Sequence, residues 1–247
     1  MDTTVNTALV VLPPAAPVSD ATPQPGEVPW NGGDVVRGIL LVIAIVVGLL
    51  IIATITKKAG ASDAGTVVPL TVLLELSFLW TVWRVVAKKH GWRAVGYRAL
   101  DLKAAWGTIG RNIVIAFGAA LVYAWILNAT GLTDKARSQD YLNDPHYVIR
   151  AGIAFSAIVL APICEETFFR GFALQGLRNR FGPMWSVILA SLLFALAHIS
   201  YLAYAPIFIV GIILARVFQR TGSIFANMLV HAGYNGIIVA IALSVSK

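Results

Sequence analysis

Residues 35–56 read VVRGILLVIAIVVGLLIIATIT, with one charge, Arg37, at the start and Lys57 and Lys58 directly after. An α-helix rises about 1.5 Å per residue, so this stretch crosses the ~30 Å hydrocarbon layer of a bilayer. A helix apolar on every face belongs in lipid or in the centre of a very large protein. Outward from it the pattern recurs. A second span covers about Val67 to Ala87, with Glu75 near its middle, and a third about Thr108 to Thr130. A fourth begins near Val148 and reaches Glu165 and Glu166. The fifth runs about Pro183 to Ile199, the sixth Tyr201 to Phe218 and the seventh Ile224 to Val245. The expected fold is all-α, a polytopic membrane bundle of about seven transmembrane helices.

Composition agrees. The 247 residues are 58% hydrophobic and 13% charged, against roughly 45–50% and about 25% in soluble domains. The formal charge of +7 does not call for nucleic acid, because the basic residues sit between apolar blocks rather than in one solvated domain. The bilayer is the expected partner. Lys88, Lys89, Arg93, Arg98 and Lys103, interleaved with Trp92, Tyr97 and Trp106, read as an interfacial segment on the cytoplasmic surface. Cys164 is the chain's one cysteine, which rules out an intrachain disulfide.

Three regions follow. Residues 1–33, with Pro13, Pro14, Pro17, Pro23, Pro25 and Pro29, read as a disordered tail. The tail has no basic residue, unlike the start of a cleaved secretory signal. Residues 34–147 hold helices one to three, and residues 148–247 the remaining core. The loop after span three, with Asp134, Lys135, Arg137, Asp140, Asp144 and His146, is nearly balanced in charge. The basic loops, Lys88–Lys103, Arg178–Arg180 and Arg216–Arg220, fall on one side if spans alternate. The positive-inside rule then puts the N-terminus in the cytoplasm and the C-terminus outside, with Lys57 and Lys58 as exceptions.

An ionisable group at bilayer depth costs at least ~2.5–3.5 kcal/mol, so each needs a partner or a function. The C-terminal half gathers Glu165, Glu166, Arg170, His198, His231 and Asn235. Glu166 and Arg170, four apart, share a helix face and can pair. Glu165 is turned away by about 100° and is left free, or else all three form a buried structural ion network. His198 ends the run Phe194-Ala195-Leu196-Ala197-His198, where a lone histidine would read as a packing residue. His231 and Asn235, again four apart, can face a developing oxyanion together or clamp two helices. Ala232 and Gly233 between them allow close helix approach. A carboxylate and an imidazole form a workable pair for activating water.

The three patterns EExxxR (Glu165 to Arg170), FxxxH (Phe194 to His198) and HxxxN (His231 to Asn235), in this order on membrane helices, resemble the CPBP family. That family comprises the type II CAAX prenyl endopeptidases and bacteriocin-processing or self-immunity proteins. The resemblance covers roughly Val148 to Val245. It implies an intramembrane glutamic endopeptidase without cofactor or metal, acting on peptide bonds of membrane-associated, CAAX-like substrates. Carried over by position, Glu165 and His198 would activate water, His231 and Asn235 would form the oxyanion site, and Glu166 and Arg170 would shape the cavity.

Two other readings stand beside it. His198, His231, Glu165 and Glu166 are the right types for zinc, but no HExxH helix pairs two histidines. A transporter or membrane scaffold would also place polar groups in spans, although paired broken helices are missing. Cys164 beside two carboxylates in an apolar site is poorly placed as a nucleophile. Straight spans would put Glu165 and His198 at opposite depths, on the order of 10 Å apart or more.

Overall fold

A computed structural model of the chain describes residues 28–61, 63–132, 147–198 and 200–245. Among these, every regular element is helical. Helix α1 is Gly32–Lys58 and α2 is Asp63–Val82, continued through a wide π turn at Trp83–Ala87 and Lys88–His90. A short α3, Trp92–Val95, leads to α4, Leu102–Ala129. Helix α5 covers Tyr147–Leu196 in two limbs that meet at a kink at Gly182. It is followed by α6, Tyr204–Thr221, and α7, Ile224–Val245. The acidic and basic loop at Asp134–His146 lies outside the described residues.

Among the described residues, six helical runs are long and apolar enough to cross a membrane, and the chain is a multi-pass membrane protein. The expected fourth and fifth spans are the two limbs of α5, which together cover 50 residues. The first limb does not stop at Glu166 but runs on to a break at Gly182, where φ is 74° and ψ 177°. Glycine tolerates that left-handed φ, and Pro183 behind it offers no N–H to carry the helix through. At α-helical rise the limb over residues 147–181 would measure about 50 Å, well past the ~30 Å hydrocarbon layer. The glutamates therefore stand mid-limb and not at a span's end, which removes the depth mismatch with His198.

Lipid is the solvent for most of the outer surface. Leu40, Leu50 and Ile55 of α1 are each about 60% exposed, and α1 buries only Gly32, Val35, Gly38 and Val42. Inside, one apolar cluster joins α1, α2 and α5, and a second joins α4, α6 and α7. The first is built on aromatic rings. Phe78 of α2 meets Phe168 and Phe169 at centroid distances of 5.0 and 5.5 Å, and Phe169 meets Phe194 at 5.1 Å.

Composition places the tail boundary too late. Residues 1–27 lie outside the described residues, but Val28 to Gly33 belong to the fold. Trp30 is 3% exposed and its indole N–H donates to Phe172 O at 3.0 Å. Asn179 Nδ2 donates to the carbonyls of Val28 and Trp30. Asn31 and Asp34 form a reciprocal capping box at the start of α1, satisfying N–H groups the helix leaves open.

The basic segments meet at one end of the molecule. Gln175 donates to Val95 O, Ser223 Oγ to Arg98 O, Ile224 N to Gly96 O and Gln219 to Pro183 O. The Asn179 contacts bring the start of α1 to the same end. Helix α6 then returns against the second limb of α5 so closely that a Cβ on Gly211 would lie 2.9 Å from Ser191 Cβ and 3.1 Å from Ser191 Cα. Gly211→Ala is expected to destabilise the fold by about 1–3 kcal/mol, read as a lowered thermal midpoint of the detergent-solubilised protein. An unchanged midpoint would contradict this packing.

Candidate active site

The first limb of α5 contains two π turns, Ser156–Leu160 and Thr167–Leu174, with Ala161–Glu166 between them. Such turns widen a helix and re-aim its side chains. In the first, Ala161 N–H bonds Ser156 O. The next carbonyl in that register, Ala157 O, would need the N–H of residue 162, which is Pro162 and has none. Asn235 of α7 fills the gap, its Nδ2 donating to Ala157 O at 2.7 Å. The amide that the sequence offers to an oxyanion thus has one N–H committed to joining α7 and α5.

Glu166 and Arg170 pair as their spacing requires, Nη1 to Oε1 at 2.8 Å, with side-chain exposures of 0% and 1%. Arg170 Nη2 reaches Gly211 O at 3.3 Å, and the guanidinium lies 4.2 Å from the centroid of the Phe194 ring. Two groups of α7 complete Glu166. His231 Nδ1 lies 2.8 Å from Oε1, and Asn227 Nδ2 donates to Oε2 at 3.2 Å. A carboxylate paired with arginine is acceptor-only, so His231 Nδ1 is the donor. Its other nitrogen, Nε2, faces Glu165 Oε2 at 3.8 Å. Glu165 is 12% exposed.

His198 stands at the end of the second limb, its Nδ1 2.9 Å from Phe194 O. The Phe194 ring lies edge-on to both imidazoles, with centroids 5.2 Å from His198 and 5.9 Å from His231. Five of the six residues named from the sequence, all but Asn235, thus join through direct contacts in which the Phe194 ring is one link. Asn235 attaches one turn further along α7.

Two residues of the cluster were not singled out as site residues by sequence reasoning. Asn227 sits four positions before His231, and the 227, 231, 235 spacing was there to be read as one polar face. Glu75 of α2 is 6% exposed, its Oε2 has no partner, and it lies within electrostatic reach of Glu165 and Cys164. Its mid-span position was the signal. Tyr97, from the basic segment, turns inward to donate to the Thr167 hydroxyl at 2.7 Å. Burial raises its phenol above the ordinary range, opposed by that hydrogen bond. Lys88, Lys89, Arg93 and Lys103 remain at the surface. Gly233 does allow close approach: a Cβ there would lie 2.6 Å from Ile113 Cδ1 of α4. Among the described residues no group of three or more His, Cys, Asp and Glu is arranged to hold a metal.

The two adjacent glutamates are expected to separate in stability. Glu166→Gln leaves Arg170 buried without its counter-charge, a loss of about 3–5 kcal/mol. Glu165→Gln disturbs only the 3.8 Å contact with His231 Nε2 and is expected to change stability by less than about 1 kcal/mol. Thermal unfolding of both variants in one detergent tests this, and equal losses would refute the division of labour.

Residues 148–237, 90 of the 247 in the chain, match the sequence profile of the family described as Type II CAAX prenyl endopeptidase Rce1-like. This is the family to which the three motifs point. The chain is also 40% identical over 78 residues to an Escherichia coli protein described as "Uncharacterized 24.3 kDa protein". That alignment covers 30% of this chain, and the chain spans 36% of the length of the relative. No solved structure matches the chain.

Proposed function

We propose that the chain is an intramembrane endopeptidase that hydrolyses peptide bonds of membrane-associated, CAAX-like substrates with a water activated by glutamate and histidine. The observation that carries this reading is the pairing at α5 and α7. Glu166 is fully occupied by Arg170, His231 and Asn227, while Glu165 keeps a carboxylate facing His231 Nε2 with 3.8 Å between them. A carboxylate and an imidazole nitrogen at that separation can share a proton through one small molecule. The match of residues 148–237 to a CAAX endopeptidase family supports the same class of reaction.

In this reading Glu165, assisted by His198, takes a proton from water as the oxygen attacks the peptide carbonyl. The proton passes from Glu165 to His231 Nε2, and that N–H with the second N–H of Asn235 stabilises the oxyanion in a site shielded from bulk water. The same proton then goes from Nε2 to the leaving amine as the C–N bond breaks. Glu166 and Arg170 hold His231 and do not exchange protons with substrate. The basic end of the molecule faces the cytoplasm by the positive-inside rule, which puts the start of α1 inside and the end of α7 outside.

Purified protein in detergent is expected to cleave peptides carrying a C-terminal lipid. Glu165→Gln and His198→Ala should each lower kcat by about 100-fold or more, while exhaustive chelation leaves turnover intact. Wild-type rates from Glu165→Gln would defeat the glutamate mechanism, and loss of activity on chelation would favour the zinc reading. Cys164 is buried and has no part in the scheme, so Cys164→Ser is expected to stay active. Abolished cleavage in that variant would argue for a thiol nucleophile.

A further inference from the structure

Asn227 has no solvent exposure, yet it pairs only half of its amide. Its Nδ2 donates to Glu166 Oε2 at 3.2 Å and to Leu214 O of α6 at 2.7 Å. Both partners are acceptors, so only the NH2 side can face them. Oδ1 is consequently buried with no partner. A buried acceptor left open in this way needs a reason, and the reason lies at the other end of Glu166.

Glu166 Oε1 carries two donors, Arg170 Nη1 and His231 Nδ1, each at 2.8 Å. Arginine prefers to grip a carboxylate with two parallel N–H bonds. If Oε2 were free, the carboxylate could turn to give Arg170 both oxygens, and His231 would lose its acceptor. The amide on Oε2 blocks that rotation, and its second bond to Leu214 O anchors the amide to α6.

We infer that Asn227 is a positioning residue which, by holding Glu166 Oε2, keeps Oε1 on His231 Nδ1 and so presents Nε2 to Glu165. Asn227 touches no substrate in this arrangement and acts through Glu166. A histidine whose Nδ1–H is fixed by a carboxylate has its tautomer and ring orientation fixed with it. The inference rests on the proposed role of His231, but its structural half, the tautomer, is measurable with no substrate present.

The test uses the full chain with 15N-labelled histidine in detergent, the His231 signals being assigned by their loss in His231→Gln. At a pH where the ring is neutral, wild type is expected to carry its proton on Nδ1. Asn227→Leu and the smaller change Asn227→Ser should shift His231 toward the Nε2–H form, with kcat on a lipidated peptide falling about tenfold or more and KM within about twofold. A wild-type ring protonated on Nε2 alone would overturn the inference. So would a folded variant with an unshifted tautomer, or the failure of both variants to fold, which would make Asn227 purely structural. If wild type cleaves no lipidated peptide, the proposed function falls while the tautomer still decides this point.

Discussion

The ion pair between Glu166 and Arg170 is the constraint around which the C-terminal half is arranged. Both side chains are essentially without exposure, and each charge removed from water carries a desolvation penalty of several kcal/mol. Mutual attraction offsets this only if the remaining donors and acceptors are also met. They are met from three directions: His231 and Asn227 of α7 reach the carboxylate, Gly211 O of α6 accepts from the guanidinium, and the Phe194 ring of the second limb covers it. A shift of any one of these helices would uncover part of a buried charge. The pair thus makes the relative placement of α5, α6 and α7 a requirement of stability.

That arrangement divides the two neighbouring acids. Glu166 is surrounded by donors, whereas Glu165, rotated off that face, faces His231 Nε2 at 3.8 Å and keeps 12% exposure. Chemistry needs a group that is not already committed. The same pair that holds the helices together also fixes which carboxyl remains available, because both depend on His231 bridging from Oε1 of one to Oε2 of the other.

Much of this was legible in the sequence, and the exceptions have physical causes. Spacing of four gave the Glu166–Arg170 pair directly, since i and i+4 coincide on any helix. It could not give the partner of Asn235, which depends on a π turn and on Pro162 lacking the N–H that Ala157 O would otherwise use. The run of apolar residues gives the membrane fold, and the fourth and fifth spans are separate limbs divided at Gly182, as expected; what hydrophobicity does not show is that the fourth continues past Glu166 through the polar residues near Arg178. Helices do not end where hydrophobicity ends when an aqueous extension is still hydrogen-bonded along its backbone. The Pro-rich composition that suggested a tail to Gly33 hid Trp30, one large side chain whose burial outweighs its neighbours' preference for disorder.

The N-terminal part of the chain, outside the family match, has a definite physical task in this structure. The π turn at Thr167–Leu174 is a poorer hydrogen-bonding geometry than a regular helix, and it follows directly on the two glutamates. Groups from the N-terminal half close over it: Trp30 takes Phe172 O, Tyr97 reaches Thr167, Phe78 packs on Phe168 and Phe169, and Val95 abuts Gly171. Gly171 has no side chain because Val95 O would lie 2.7 Å from its Cβ. In the proposed reading the motifs supply the reacting groups, but a π turn left to lipid would be free to relax to regular helical spacing and re-aim Glu165. Helices α1 and α2 with the basic segment therefore do for the backbone of α5 what Arg170 does for Glu166: they hold an unfavourable local state in place through the contacts they make with it.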